Sequence, residues 1–208
     1  MTDAPPDNFA APPEVSRPRG PVHLVARHGH PDGALEVYLH LAAVEDLLAA
    51  TSLADRQERA GLMAGEWGRD ARGPFVLVRR ALPATQAPAD RTSVTFTPAA
   101  WEELWTALER ECPGLAVVGW WHTHPGLGIF LSEPDRFIHR NFFAESFHLA
   151  LVYDPLAFAW GIFCWEGEEL RAAGGLYLYA EREGDYPHLR ETLREIAPAG
   201  IIQVEFED

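Results

Sequence analysis

Residues 115–135 read LAVVGWWHTHPGLGIFLSEPD. The first seven, 115–121, form a continuous apolar run, which predicts a strand buried on both faces. His122 and His124 come at the end of that strand, and side chains two apart on a strand point to the same side. A proline and two glycines follow and allow the chain to turn back. A helix is then predicted to begin near Ser132, so the stretch predicts a strand-to-helix junction lined with polar groups.

The polar groups at this junction have the composition of a catalytic zinc site. The predicted helix presents Asp135 from its first turn, beside the imidazoles of His122 and His124. Two imidazoles and one carboxylate suit zinc and leave its fourth tetrahedral position open. An H-x-H pair alone is weak evidence, because residues 28–31 repeat the HxHP string with no Ser-x-x-Asp behind it and predict only a turn. The order and spacing of the whole segment, which ends in Ser132 and Asp135, predict one zinc ion per chain.

At this point the sequence resembles the JAMM metalloproteases, the catalytic MPN family. Four residues match the family signature HxHPx6SxxD without a departure: His122, His124, Ser132 and Asp135. Residues 118–126, VGWWHTHPG, are especially similar to the deubiquitinases of the proteasome lid and the signalosome. The resemblance covers most of residues 35–180, and it implies a zinc-dependent hydrolase of amide bonds.

The resemblance also singles out a glutamate upstream of the histidines. The family places it in a segment of the form E-x-x-G-L-φ-x-G, where φ is apolar, and residues 58–65, ERAGLMAG, match this form. The match makes Glu58 the candidate general base. A zinc hydrolase needs such a group, because the attacking water must lose a proton that is then delivered to the leaving amine. From the residues alone, Glu36, Glu45 and Glu66 would be equal candidates.

Two further side chains have alternative roles that the sequence leaves open. Ser132 stands where a helix N-cap is expected, as the first residue of a capping box. The resemblance implies in addition that its hydroxyl helps to hold the oxyanion of the tetrahedral intermediate. His139 lies one helical turn after Asp135, so it either faces the site or packs in the interior.

The segments outside the motif predict an α+β fold. Apolar, β-branched or aromatic runs predict further strands at 22–26, 35–41, 58–67, 75–79, 93–96, 147–153, 157–165 and 170–179. A turn at 30–33 joins the first two strands and predicts a hairpin. Helical spacing is found at 43–50, 98–111 and 187–196, in addition to the helix after Ser132. We expect one domain with a curved mixed sheet flanked by helices, and the resemblance implies that this fold is cytidine-deaminase-like.

The two ends of the chain differ from this domain in composition. Residues 1–20 contain five prolines and little apolar content, and they predict a flexible tail. We expect the JAMM/MPN domain to span residues 21–185, and a C-terminal helix and tail to fill residues 186–208. The chain has no apolar run of about 18 residues and no signal-peptide core at its start, which predicts a cytoplasmic protein without a membrane span.

Charge and cysteine content exclude several classes of function. The net charge of −14 argues against a nucleic-acid partner, which would favour a basic face. Two cysteines cannot form a disulfide framework or a four-cysteine zinc site. All 17 basic residues are arginine. This bias either reflects genome composition or removes the lysines that a modifier-attaching machinery would target.

The predicted function is that of a zinc-dependent isopeptidase or peptidase. The resemblance implies that the substrate is the C-terminal tail of a ubiquitin-like protein, cut from a target lysine or from a precursor extension. It also makes E1-like and E2-like enzymes of the same pathway candidate partners. Two alternatives stay open. A maturation protease for sulfur-carrier proteins would use the same chemistry. A non-catalytic MPN scaffold would only bind partners, although such relatives have lost metal ligands that this chain keeps.

Overall fold

The computed structural model describes residues 15–18, 24–29, 35–51, 56–87, 95–173, 175–181 and 202–203. Within these residues the chain forms ten strands and three helices. The strands are β1 Leu24–Gly29, β2 Glu36–His40, β3 Ala60–Asp70, β4 Gly73–Pro83, β5 Ala116–Thr123, β6 Leu149–Asp154, β7 Ala159–Glu166, β8 Glu169–Ala172, β9 Gly175–Ala180 and β10 Ile202–Gln203. The helices are α1 Leu41–Ala50, α2 Pro98–Glu111 and α3 Glu133–Phe142.

All ten strands belong to one mixed sheet with the order β10-β1-β9-β2-β4-β3-β5-β6-β7-β8. Three neighbouring pairs are parallel, namely β2 with β4, β2 with β9, and β5 with β6. The central strand β3 is antiparallel to β4 and β5, and both of these ladders shift register beside Ala64. Such irregularities bend a strand and increase its twist. The α+β prediction, a single domain with a mixed sheet flanked by helices, is confirmed.

Helices cover both faces of the sheet. Val44 of α1 belongs to the same apolar cluster as Trp121 of β5. On the opposite face, Leu104 of α2 shares a cluster with Trp120. Both tryptophans are fully buried. Because neighbouring residues of β5 face two different cores, its apolar run contains no polar position before the histidines.

The start of α2 follows the sequence prediction, but the strand predicted just before it is wrong in its described part. Thr97 is the N-cap, and its Oγ1 accepts the Ala100 N–H at 3.2 Å. Phe96 lies outside any strand, and its ring stacks on that of Trp101 with the centroids 5.0 Å apart. These two positions, one before the N-cap and four after it, form a hydrophobic staple. The aromatic character of Phe96 therefore serves the helix rather than a sheet.

Two strand pairings also differ from the predictions. The hairpin of β1 and β2 is wrong, because β9 lies between them, antiparallel to β1 and parallel to β2. The strand predicted at 170–179 is two strands: β8 pairs with β7, whereas β9 pairs with β1 and β2. Apolar alternation marks a strand but not its partner. The predicted turn at 30–33 and the predicted helix at 187–196 lie outside the described residues.

The predicted N-terminal tail is described only at residues 15–18, and this part lies against the domain. Arg17 is 3% exposed. Its guanidinium pairs with Glu36 and, at 2.8 Å, with Asp70. It also lies 4.7 Å from the centroid of the Phe75 ring. The described part of the tail is therefore anchored, while the domain boundaries at 21 and 185 stay predictions. Across the described ranges no helix has the length and apolar character to cross a bilayer.

Candidate metal centre

The end of β5 delivers two imidazoles into one buried site. His122 is fully buried, and His124, one residue beyond the strand, is 2% exposed. Their Nε2 atoms lie 3.2 Å apart. β5 is fixed here on both sides, because His122 pairs with Ala60 of β3 and with Val152 of β6. The strand geometry predicted from the H-x-H spacing therefore brings both rings to one point.

The first turn of α3 adds a carboxylate to the two imidazoles. Asp135 Oδ2 lies 3.4 Å from His122 Nε2 and 3.6 Å from His124 Nε2. The same oxygen accepts the backbone N–H of Ser132 at 2.7 Å and the Ser132 hydroxyl at 2.5 Å. Ser132 Oγ in turn accepts the Asp135 N–H at 3.3 Å. This capping box fixes the carboxylate relative to the helix axis.

The three atoms fit a tetrahedral zinc ion. Ligand atoms about 2.0–2.1 Å from a tetrahedral zinc are about 3.3–3.4 Å from one another. The three separations here are 3.2, 3.4 and 3.6 Å. In the part of the chain that the structure describes, His122, His124 and Asp135 form the group of His, Cys and carboxylate side chains that is close enough to share an ion. The donor set and its spacing thus suit zinc.

The protonation states of these groups also favour a metal. His124 Nδ1 lies 3.2 Å from the Gly128 carbonyl oxygen, which can only accept, so Nδ1 carries a proton and, in the neutral ring, Nε2 has the lone pair that a metal needs. Burial lowers the pKa of His122 and keeps this ring neutral. Burial also lowers the pKa of His124, but its interaction with Asp135 and the charge of Glu58 raise it overall. Although burial opposes ionisation of Asp135, its interactions with both imidazoles hold its pKa well below the usual range.

Glu58 lies beside His124 and outside the group of three candidate ligands. It is 2% exposed, and its Oε1 is 3.8 Å from His124 Nε2. Two hydrogen bonds between neighbouring backbone segments place it there. The Thr123 N–H donates to the Arg59 carbonyl at 2.8 Å, and Thr123 Oγ1 accepts the Arg59 N–H at 2.9 Å. A carboxylate at this distance has the placement of a general base, and its role stays a prediction.

The open question about His139 is answered by its contacts. His139 is fully buried, and its Nδ1 accepts the Trp120 Nε1–H at 3.1 Å. The Trp120 ring in turn stacks on His122, with centroids 4.4 Å apart and an interplanar angle of 11°. His139 thus contacts the candidate ligand His122 only indirectly, through the ring of Trp120. For Ser132, the structure shows the capping role, while the oxyanion role stays a prediction.

Sequence reasoning missed one carboxylate near the site, Asp154 at the end of β6. It is 2% exposed, and it accepts backbone N–H groups from the loop after β5 and from the β6–β7 turn. The available signal was an Asp-Pro pair after a predicted strand. That pair is typical of a turn and does not indicate contact with the histidine loop.

Apolar side chains are exposed on the two connections nearest the histidines. Leu127 and Phe130 follow β5, while Leu156 and Phe158 lie in the β6–β7 turn. The four are between 38% and 44% exposed. The Phe130 ring centroid lies 4.6 Å from that of His124. Phe158 has a φ of 50°, in the left-handed region that residues other than glycine rarely adopt. We call these four residues the apolar rim, and exposed apolar groups gathered in this way are typical of interaction sites.

A solved structure shares this fold. The solution structure of protein DSY2949 from Desulfitobacterium hafniense matches 71% of this chain and 96% of its own length, at 22% identity and a TM-score of 0.52. At this identity the likeness concerns the fold alone.

Two relatives match parts of the chain. Over 123 residues it is 31% identical to the NAD(+) hydrolase TcpA of Theionarchaea archaeon, which covers 59% of this chain and 35% of that protein. Over 52 residues it is 46% identical to COP9 signalosome complex subunit 5 of Eremothecium gossypii, which covers 23% of this chain and 12% of that subunit. The chain therefore spans about a third of the first relative and about an eighth of the second.

The family model of prokaryotic homologs of the JAB domain matches residues 40–163, which include Glu58, all three candidate ligands and Asp154. The matched segment is more than half of the 208 residues. The chain therefore belongs to the prokaryotic JAB family.

Proposed function

We propose that this chain is a zinc-dependent peptidase that cleaves after the C-terminal tail of a ubiquitin-like protein. It would remove the modifier from target lysines or process its precursor. One observation carries the proposal: three ligand atoms lie 3.2–3.6 Å apart, and the Glu58 carboxylate lies 3.8 Å from one of them. The 52-residue match to a signalosome subunit and the resemblance to lid and signalosome deubiquitinases support the substrate class.

The residues divide the work of amide hydrolysis between them. His122, His124 and Asp135 would hold zinc, which supplies Lewis-acid chemistry and lowers the pKa of water. Glu58, held beside His124, takes the proton of the attacking water and passes it to the leaving amine. The Ser132 hydroxyl stands at the start of α3 and stabilises the developing oxyanion, for which it must turn away from Asp135.

A protein substrate fits the surroundings of the site. The apolar rim lies on both connections next to His124, and Phe130 reaches that ring directly. A folded modifier with an apolar face beside its tail would cover these side chains when the tail enters the site. The proposed partners are therefore a ubiquitin-like modifier with such an apolar face and the enzymes that activate and attach it.

Three other functions are separated from the proposed one by experiment and not by the geometry of the site. A maturation protease for sulfur-carrier proteins would use the same residues on a linear precursor. A non-catalytic scaffold would keep the fold without turnover. NAD(+) hydrolysis is suggested only by the name of the archaeal relative, of which the match covers 35%. We therefore base the proposal on the site and not on that name.

The first test measures the metal. Elemental analysis of the purified protein, without added metal, is expected to find close to one zinc per chain. Zinc should be lost in Asp135→Ala and in the double variant His122→Ala/His124→Ala, because each removes part of the ligand set. Full zinc occupancy in the double variant would place the metal elsewhere and refute the assignment.

The second test separates the base from the ligands. Glu58→Gln is expected to keep its zinc and to lower turnover by about 10²–10⁴-fold, the usual effect of removing a general acid–base group. Glu66→Gln is the matched control, since Glu66 lies on β3 and pairs with Arg79 at 2.9 Å, away from the ligands. Near-normal turnover of Glu58→Gln at saturating substrate would mean that another group is the base.

The substrates in this assay are candidate modifiers joined to a reporter, either linearly or through a lysine side chain, with the products identified by mass spectrometry. NAD⁺ is incubated in parallel. Preferred cleavage of the lysine-linked substrate supports the isopeptidase, and cleavage of the linear form alone supports the maturation protease. A zinc-loaded protein that cleaves none of the modifier substrates would favour the scaffold.

A further inference from the structure

Asp154 links the loop after β5 to the β6–β7 turn, next to the candidate metal centre. Its Oδ1 accepts the N–H groups of Gly126 at 2.9 Å, Leu156 at 3.0 Å and Ala157 at 3.2 Å. Its Oδ2 accepts the N–H of Gly128 at 3.0 Å. Asp154 is 2% exposed. Burial opposes its ionisation, but these four amide donors hold its pKa below the usual range, so both oxygens are acceptors.

One of these contacts leads directly to a candidate metal ligand. Gly128 gives its N–H to Asp154 and receives the Nδ1–H of His124 on its carbonyl oxygen, at 3.2 Å. The backbone N–H of His124 is held separately by the Tyr153 carbonyl at 2.9 Å. Once the backbone of His124 is fixed, the rotation of its imidazole depends on where the Gly128 carbonyl lies. That rotation sets the direction of the Nε2 lone pair.

The hydrogen bond within the loop, from the Leu127 N–H to the His124 carbonyl at 3.1 Å, does not include Gly128. Gly126 and Gly128 have φ values of 76° and 86°, in the region that favours glycine. Glycine adopts several conformations with little difference in energy. A loop with two such residues needs an external contact to hold one conformation, and the Asp154 carboxylate supplies that contact to both of them.

We propose that Asp154 is a positioning residue for the metal centre, which acts through Gly128 to aim His124 Nε2 at the ion. The proposal rests on the metal site described under Proposed function. It concerns the affinity and geometry of the bound metal and not the chemistry of peptide cleavage. Groups that orient a metal-ligating histidine typically change metal affinity by about 10–100-fold when they are removed.

Asp154→Asn isolates this role, because the two carboxylate oxygens have different partners. An asparagine that keeps its oxygen on Gly126, Leu156 and Ala157 must place its NH₂ group against the Gly128 N–H. The variant thus keeps the hydrogen bonds to Gly126 and to the β6–β7 turn. It loses the hydrogen bond that holds Gly128, whose carbonyl accepts from His124. Side-chain volume is almost unchanged.

The experiment measures zinc affinity by competition with a chromophoric chelator, and metal geometry by the absorption spectrum of the cobalt-loaded protein. We expect Asp154→Asn to bind zinc about 10–100-fold more weakly than the wild type, with altered d–d bands in the cobalt spectrum. Gly128→Ala should act in the same direction, because its φ of 86° is strained for alanine even though the space around it is open.

Asp46→Asn is the matched control. Asp46 also accepts a backbone N–H from another segment, that of Ala81 at 3.0 Å, and it binds Arg80 at 2.6 Å. It lies on α1, on the other face of the sheet from α3. This variant is expected to lower the melting temperature without changing zinc affinity or the cobalt spectrum.

Two results would overturn the proposal, and they differ. If the wild type binds zinc and Asp154→Asn has the same affinity and cobalt spectrum, Asp154 contributes only to stability, and the proposed peptidase is unaffected. If the wild type binds no zinc, the metal site and the proposed function fail together with this inference.

Discussion

His139 gives the protein a specific sensitivity to acid. Its ring is buried among aromatic side chains, with the Trp165 ring centroid 5.2 Å away. Its Nδ1 accepts the Trp120 N–H and therefore carries no proton. Burial, together with the charge of His148, lowers the pKa of His139 to about 3. The folded protein thus holds this imidazole neutral at pH values where an exposed histidine is protonated.

The sign and size of the effect follow from the two pKa values. In the unfolded chain the pKa of His139 is about 6.5. Above that pH neither state takes up the proton, and stability does not change. As the pH falls below about 6.5, only the unfolded state is protonated, so the free energy of unfolding decreases until the folded pKa is reached. Between pH 7.5 and pH 5 the loss from this residue is about 2 kcal/mol, at about 1.4 kcal/mol per pH unit.

The perturbation is His139→Asn, in which Oδ1 can still accept the Trp120 N–H but the side chain does not titrate. Urea unfolding at pH 7.5 and at pH 5 is measured for both proteins, with a chelator present so that zinc release does not contribute. The variant is expected to be less stable at pH 7.5, because the smaller side chain leaves a cavity. The difference between the two proteins should shrink by about 2 kcal/mol at pH 5.

The other titrating groups are common to the two proteins, and His148, whose charge acts on His139, has a pKa lowered by burial to about 4 and stays largely neutral over this pH range. If the stabilities of wild type and variant fall in parallel between pH 7.5 and pH 5, His139 does not have a lowered pKa in the folded state, and the reasoning is wrong. A shrinkage well below 1 kcal/mol would mean that water reaches the ring and that its burial is incomplete.

Two further predictions concern the surface of the domain. Removing residues 1–18 should lower the free energy of unfolding more than removing residues 1–14 does, because only the longer truncation takes Arg17 away from Glu36 and Asp70. Identical urea midpoints for the two truncations would show that Arg17 contributes nothing. The second change is made in the apolar rim, where Leu156→Ser is combined with Phe158→Ser. The double variant should raise KM several-fold for a modifier fusion, while kcat and zinc content stay constant. An unchanged KM would mean that the substrate does not contact the rim.

The parts of the fold that were predictable are those fixed by neighbours in the chain. The apolar run before His122 predicts β5, because a strand covered on both faces has no polar position. Thr97 marks the start of α2, and Ser132 marks the start of α3, through side-chain contacts only three residues long. The candidate ligands belong to this class, since His122 lies in β5, His124 lies one residue beyond it, and Asp135 lies in the next helix.

Long-range pairing explains what could not be predicted. β9 inserts between β1 and β2, and this choice depends on residues more than a hundred positions apart. Apolar alternation does not carry that information, so the segment at 170–179 reads as one strand although its two halves pair in different places. Phe96 shows the same limit locally, since an aromatic residue suits a strand and a hydrophobic staple equally well.

The candidate site shows the same contrast between contacts of chain neighbours, which were predictable, and long-range contacts, which were not. Glu58 is 64 or more positions from the histidines, and the residues alone did not distinguish it from other glutamates until the family resemblance was used. Asp154 was missed because its function is to accept backbone N–H groups from a loop that precedes it by more than twenty residues. Such contacts leave no pattern in side-chain types, so no reading of the sequence alone would indicate them.

Each candidate ligand is held by a partner from a different part of the structure. His122 is stacked on Trp120, His124 is bonded to the Gly128 carbonyl, and Asp135 is held by the capping box. These contacts keep three electron-rich atoms 3.2–3.6 Å apart in a buried space, which is unfavourable unless a positive charge lies between them. The raised pKa of His124 shows the response when that charge is a proton. If the site holds zinc, as we propose, a proton competes with the ion for the lone pair of His124, and zinc binding is expected to weaken as the pH falls.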